Sequence, residues 1–372
     1  MKYFALILVV FMVLLSLGGC QKSNDSTTSP ATESQLMEKN ETPRKTPQYQ
    51  IKIEMLESIT QYSLAVPPAS FEDKIMLTFS NQIESSGFNT ALYQLSSKEI
   101  DFLDFYAGLE FKMDKEHFYY LSNEYAGGEL ALIKRKNQDT DAEDTIYRAP
   151  EGFELAPRLA YGDGFLVWAQ YEPTEERSQG FSLWAFDINR QQAFEISERC
   201  YGSLTYSYII NNGCVAYYDE DNTAQNPYMI TGYDLNKRKK AGEIATKTPP
   251  NTIVFDGKRY LWSEKSGERG LYVSDGNDTS TVAKDVGNFD IFKGEYIVAS
   301  VGGDYQVINL IQNSVIFSLK DQGIINQNER LIPFFTLNKD TGRAVINSMV
   351  KQSSTTNASE QIYVLDFIEQ TA

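Results

Sequence analysis

The chain has 372 residues, with 34 Lys plus Arg against 50 Asp plus Glu, a net charge of −16 and a hydrophobic share of 42%. That acidity argues against DNA or RNA as a partner, because phosphate binding needs clustered positive charge. One His (His117) and three Cys exclude His-rich metal sites, zinc ribbons and disulfide scaffolds, while the apolar share suffices to bury a core along most of the length.

Lys2 precedes an apolar run from Tyr3 to Leu17. Fifteen residues fall short of the roughly 20 that a bilayer-spanning helix needs, and the run fits the apolar region of a secretory signal. It ends in Leu17-Gly18-Gly19-Cys20, an aliphatic residue, two small ones and a Cys in the order that resembles the lipobox of bacterial lipoprotein precursors. The resemblance implies a signal peptide over residues 1–19 and cleavage before Cys20. It also implies a diacylglyceryl thioether on the Cys20 sulfur. Two acyl chains of palmitate type supply the two signals that stable anchoring requires, so the expected place is the extracytoplasmic side of the cell membrane. Residues 21–49, rich in Ser, Thr, Pro, Asn and charge, read as a flexible tether. As a coil of that length it would hold a folded domain roughly 30 Å from its anchor on average.

From residue 50 to 372 no helical periodicity persists. Short β-rich runs appear instead, such as Lys74–Ser80, Phe165–Tyr171, Cys214–Tyr218 and Tyr296–Val301, bounded by Gly, Asn, Asp and Ser. A tight turn precedes each run. Seven of them recur: Glu72-Asp73-Lys74, Asp114-Lys115-Glu116, Gly162-Asp163-Gly164, Asn211-Asn212-Gly213, Asp256-Gly257-Lys258, Lys293-Gly294-Glu295 and Asp340-Thr341-Gly342. Their middle residues are spaced by 42, 48, 49, 45, 37 and 47. Later in each unit stands a second phrase: ALYQL, LALIKR, SLWAFD, MITGYD, LYVSD, QVINL or IYVLD. Seven units of about four strands match the period of a β-propeller. The last unit offers only Leu331–Leu337, Arg343–Val350 and Gln361–Phe367, while Gln50–Leu56 has no unit of its own. The expectation is an all-β, seven-bladed propeller closed by that N-terminal strand in the last blade. Six or eight blades and paired β-sandwiches are the rival architectures. The units Asp256–Ala283 and Gly162–Ile196 resemble blades of TolB-like propellers, in which an aromatic-ended strand precedes an "LYVxD" strand. The likeness implies an architecture and brings no active site with it.

Candidate site residues follow from that frame. Acids succeed several second strands: Glu124, Glu172, Asp219-Glu220-Asp221 and Glu264. Together with Tyr171, Tyr218 and Trp262 they form the expected binding face, since polar loops on a rigid scaffold carry recognition. The long loops Glu172–Gly180, Asp219–Pro227 and Lys351–Glu360 belong with them. Carboxylates gathered there could hold Ca²⁺ or a basic partner, or simply be solvated charge; no other cofactor is suggested. The run Asp139 to Asp144 lacks the Gly and terminal Glu of an EF-hand loop. Trp168, Trp184 and Trp262 either stack on sugar rings or fill the wedge between blades, and packing is the simpler reading. His117 is the sole candidate base for a triad, and no G-x-S-x-G elbow exists. Cys200 and Cys214 are expected as free thiols, on the argument that the turn at Asn211–Gly213 holds them roughly 30 Å apart. The function expected is therefore binding of an envelope protein or cell-envelope glycan by a lipid-anchored propeller. The alternative is a glycan hydrolase or lyase using paired carboxylates at the centre.

Overall fold

Seven tight turns organise the chain, and each stands where the sequence places it. The computed structural model describes residues 48–56, 68–80, 88–103, 111–123, 130–173, 180–200, 208–220, 225, 227–325, 330–351 and 359–370. Those residues contain β-strands and no helix, and the expected lipidation residue Cys20 lies outside them. At three turns the chain takes two consecutive left-handed residues: Asp163 and Gly164 (φ 51° and 79°), Asn212 and Gly213 (52° and 66°), and Lys293 and Gly294 (52° and 69°). This pairing matches the right-handed twist of the strands it joins, which is why Asn-Gly and Asp-Gly pairs occur there.

The first strand, β1 (Tyr49–Met55), stands apart from the sheet that follows it. The first blade comprises β2 (Ala69–Phe71), β3 (Lys74–Ser80), β4 (Phe88–Gln94) and β5 (Ile100–Leu103). The second holds β6 (Phe111–Met113), β7 (His117–Asn123), β8 (Leu130–Asn137) and β9 (Glu143–Arg148). The third holds β10 (Glu154–Gly162), β11 (Phe165–Tyr171), β12 (Phe181–Asp187) and β13 (Gln192–Cys200). The fourth has β14 (Cys214–Glu220), β15 (Tyr228–Asp234) and β16 (Lys239–Thr246). The fifth has β17 (Pro250–Phe255), β18 (Tyr260–Glu264), β19 (Leu271–Ser274) and β20 (Thr279–Ala283). The sixth has β21 (Val286–Phe292), β22 (Tyr296–Val301), β23 (Asp304–Asn309) and β24 (Ser314–Ser318). The last is built from β25 (Arg330–Asn338), β26 (Arg343–Lys351) and β27 (Ser359–Glu369). Each of the first six sheets is an antiparallel meander in chain order.

The fourth blade departs from four described strands: Tyr208–Ile210 occupies the innermost position without strand pairing and packs against the sheet through side chains, with the bridge Asn211↔Cys214 just beyond it. The last blade confirms the expected closure. β1 pairs antiparallel with β27, from Tyr49↔Glu369 to Met55↔Tyr363, giving the order β1-β27-β26-β25. Pairing β1 there covers the edge of β27 and gives the last blade its fourth, outermost strand. Tyr49 also ties the last blade to the sixth, its ring lying edge-on to Phe292 and Tyr296 at 5.3 Å each.

The core lies mostly between blades. Leu155, Leu166 and Trp168 of the third blade pack with Tyr119, Leu121 and Ile133 of the second. Ile253 and Trp262 of the fifth pack with Val215 and Ile230 of the fourth. Burying each such side chain contributes roughly 1.5–3 kcal/mol, so adjacent sheets stabilise one another. Trp168 is fully buried and Trp262 is 6% exposed. Both serve the wedge, as the simpler reading expects.

Alternation gives the ring two distinct faces. First-to-second and third-to-fourth strand connections share one, here called the turn face; second-to-third connections and the links between blades share the other, the loop face. The turn face is stitched by polar bridges. Gly213 N donates to Asp163 Oδ2 at 2.7 Å, Lys74 Nζ to Gln138 Oε1 at 3.1 Å, and Arg259 Nη2 to the Gly294 carbonyl at 2.5 Å. The recurrent phrase at the end of each third strand works there too. Its Asn137, Asp187, Asp234 or Asn309 side chain accepts backbone N–H groups two or three residues on, the Asx-turn geometry.

Cys200 and Cys214 are both free and buried. They are separated for a different reason than the sequence suggests. Cys200 ends β13 at the loop face of the third blade, while Cys214 begins β14 at the turn face of the fourth. The length of a seven-residue strand, about 20 Å, lies between those faces. Burial pushes the thiols up, to about 12 for Cys200 and about 11 for Cys214.

Candidate functional site

Two regions concentrate polar and aromatic side chains: the loop face over the third to fifth blades, and the central channel. On the loop face the second strand of each blade ends beside the start of the third, and in three successive blades an aromatic pair sits at that junction. Tyr171 lies edge-on to Phe181 at 5.4 Å. Tyr218 lies edge-on to Tyr228 at 6.3 Å. Trp262 stacks on Tyr272, its cross-strand partner, at 5.4 Å and 24°.

A carboxylate accompanies each pair. The Tyr171 hydroxyl donates to Glu154 Oε2 at 2.7 Å. The Tyr272 hydroxyl donates to Glu264 Oε2 at 3.1 Å, and Thr248 Oγ1 also donates to Glu264. Tyr218 is pushed up to about 12, chiefly by burial and then by the charge of Glu220. Glu172 is exposed; Asp219 and Glu220 are half-buried, with Asp219 Oδ1 accepting the Glu220 N–H at 2.8 Å. The structure thus brings Tyr171, Glu172, Tyr218, Asp219, Trp262 and Glu264 to one end of neighbouring blades. Trp262 serves as a buried backing for Tyr272 and not as an exposed ring. Glu124 and Asp221 lie outside the described residues, as do most of the loop residues that follow Glu172, Asp219 and Lys351.

The second region was not legible as a site in the sequence. Its wall is a cavity of about 210 Å³ formed by the first segment of all seven blades, including Ser70, Lys112, Arg158, Tyr208, Asn251, Asn288 and Phe335. Lys339, in the turn after β25, crosses the turn-face end. Its ammonium lies 3.1 Å from Asp290 Oδ1 of the sixth blade and donates to the Ile210 carbonyl of the fourth at 2.5 Å. Burial raises the Asp290 carboxyl against the opposing pull of Lys339 and Lys112. Asp340 is raised too, first by burial and then by Asp163. The available signal was a charged or amide residue within an otherwise apolar first strand, as at Arg158 and Asn288.

Among the described residues no three His, Cys, Asp or Glu side chains group to hold a metal ion. The acids between Asp139 and Asp144 face cations of β8 instead, with Lys134–Glu143 at 2.6 Å, Arg135–Asp144 at 2.7 Å and Lys136–Asp141 at 3.1 Å. His117 Nδ1 lies 3.7 Å from Asp114 Oδ1, whose carboxylate also takes the Tyr119 hydroxyl and the His117 N–H. That arrangement belongs to the turn and offers no nucleophile.

No protein-family model matches the chain, and no curated protein matches it. Solved structures do. An oligogalacturonate lyase in complex with manganese is 12% identical with a TM-score of 0.56, covering 87% of this chain and 97% of that one. An oligogalacturonate lyase from Vibrio parahaemolyticus is 12% identical with a TM-score of 0.53, covering 86% and 97%. The β-propeller domain of the Trilobed protease from Pyrococcus furiosus is 14% identical with a TM-score of 0.58, covering 83% and 97%. That domain has an open velcro topology, whereas here β1 closes the last sheet. Likeness at these identities carries the fold and nothing finer: the chain is a seven-bladed β-propeller.

Proposed function

We propose that the chain is a lipid-anchored, extracytoplasmic binding propeller that recognises an envelope protein or a cell-envelope glycan on its loop face. Support for the anchor is the order of charge, apolar run, small residues and Cys20. The reading of the face rests on one observation: three successive blades each present an aromatic pair with a carboxylate at the same end. Half-exposed aromatics and acids are the side chains that stack on sugar rings and accept sugar hydroxyls, and that receive basic protein groups. The scaffold beneath them is rigid, because Trp262 and its neighbours are packed between blades.

The test is retention of the full chain on purified sacculi and, separately, on immobilised envelope proteins. Glu172→Gln, Asp219→Asn and Glu264→Gln combined should weaken whichever retention the parent chain shows by about tenfold or more, the scale of lost charged hydrogen bonds. Retention unchanged by the triple substitution contradicts the assignment of this face.

A further inference from the structure

The central channel has a polar wall separate from the loop face. Three first strands break register along their length: β10 between Leu155 and Leu159, β17 between Pro250 and Thr252, and β21 between Val286 and Phe289. Pro157 explains the first break, since it cannot donate to the ladder. Bulges re-aim side chains and are enriched beside functional sites. Each of these three delivers a polar residue to the channel wall: Arg158, Asn251 and Asn288.

Their amides are ordered. Asn251 Nδ2 donates to the Gly287 carbonyl at 3.0 Å and to Asn288 Oδ1 at 3.3 Å. The Asn288 oxygen is thereby used as an acceptor, and its Nδ2 can serve only as a donor. Farther toward the turn face stands Lys112, with Lys339 spanning the end. Lys112, Arg158 and Lys339 share the wall with Asp290 and Asp340 among the described residues, and Asp290 lies within the pull of both Lys339 and Lys112. Ile209, Phe289 and Leu337 add apolar surface to the same wall, and partial burial beside such surface strengthens charged hydrogen bonds.

We propose that the channel binds a small molecule bearing a carboxylate or phosphate group, held by the Arg158 guanidinium with the Asn251 and Asn288 amides beside it and Lys112 beyond. Guanidinium forks suit such oxyanions in bidentate fashion. The volume, about 210 Å³, is below the roughly 300–1,000 Å³ of drug-sized sites, so the ligand is of monosaccharide size or smaller.

The experiment is calorimetric titration of the full chain in detergent with gluconate, inorganic phosphate and glucose, at matched ionic strength in chloride. One-to-one binding of gluconate or of phosphate, without binding of glucose, is the expected result, and the anion that binds identifies the group recognised. Arg158→Gln should weaken that binding by about tenfold or more, and Lys112→Gln should weaken it less. The exposed-site control Lys284→Gln should leave it unchanged. Should Arg158→Gln fail to fold, Asn288→Ala carries the same comparison. Binding of neither anion, equal binding of glucose, or affinity indifferent to Arg158→Gln and Asn288→Ala overturns the proposal.

Discussion

Asp256 accepts four hydrogen bonds at a single turn. Oδ1 takes the backbone N–H groups of Lys258 and Arg259 at 2.9 and 2.7 Å, and Oδ2 takes Nε and Nη2 of Arg259 at 2.9 and 2.7 Å. Arg259 in turn reaches the Gly294 carbonyl of the next blade. One carboxylate therefore orders both its own hairpin and the neighbouring one. Asp256→Ala should destabilise the chain by about 2–4 kcal/mol, because it strands two backbone donors and a guanidinium at once. Asp256→Asn keeps an acceptor for the backbone and should cost about half as much. Urea denaturation followed by tryptophan fluorescence measures both, and equal losses would mean that the guanidinium fork contributes little. At this scale the sequence is informative about turns and silent about wall residues. Asp-Gly and Asn-Gly state their backbone conformation directly, whereas a polar Arg158 or Asn288 in an apolar first strand marks an unusual position without saying which cavity it lines. Their setting comes from residues more than thirty positions away.

β1 shows how an element acquires meaning from its partner. Its seven residues have the alternating half-buried pattern of an edge strand, and Ile51 and Ile53 rest on the cluster that joins the sixth and last blades. Alone, such a strand is unstable; paired with β27 it caps a sheet. Tyr49 contacts Phe292, Tyr296 and Phe367 through edge-on rings. Tyr49→Ala should cost about 1–3 kcal/mol in equilibrium unfolding, while Tyr49→Phe should be nearly neutral. A neutral alanine would mean that the strand is held by its ladder alone. The strand's destination was readable, since the last unit lacked a strand and this run lacked a unit. The fourth blade was less readable: Tyr208–Ile210 has the apolar character of a first strand, yet among the described residues it joins no ladder, and the bridge comes at the next residue, Asn211. Apolarity reports burial in the ring; ladder pairing depends also on neighbours that periodicity does not describe.

For the molecule as a whole, closure sets everything else. The last and first blades meet through Asn338 Nδ2 on the Ser70 carbonyl at 2.5 Å, Thr336 Oγ1 on the Pro68 carbonyl, and Arg343 on the Glu72 carbonyl. Arg343 is itself fixed by a fork to Asp366 at 2.6 and 3.0 Å. With the ring closed, seven first segments converge on one channel and the aromatic pairs of the third to fifth blades share one face. An open or slipped ring would disperse both. Gln50 and Ile368 are directly opposed in the β1–β27 register, whereas Ile51 opposes Phe367. Both Gln50 and Ile368 are exposed, the latter by 44%, so neither substitution disturbs the core. The decisive measurement is oxidation of a Gln50→Cys/Ile368→Cys chain, with peptide mapping of the linked product and a Lys52→Cys/Ile368→Cys control. The account predicts rapid, near-complete joining of positions 50 and 368, whose Cα atoms lie within the roughly 4.4–6.8 Å that a disulfide spans, and little joining of 52 to 368. Failure of the first pair to join, or equal joining of the two pairs, would contradict a ring closed by its N-terminal strand.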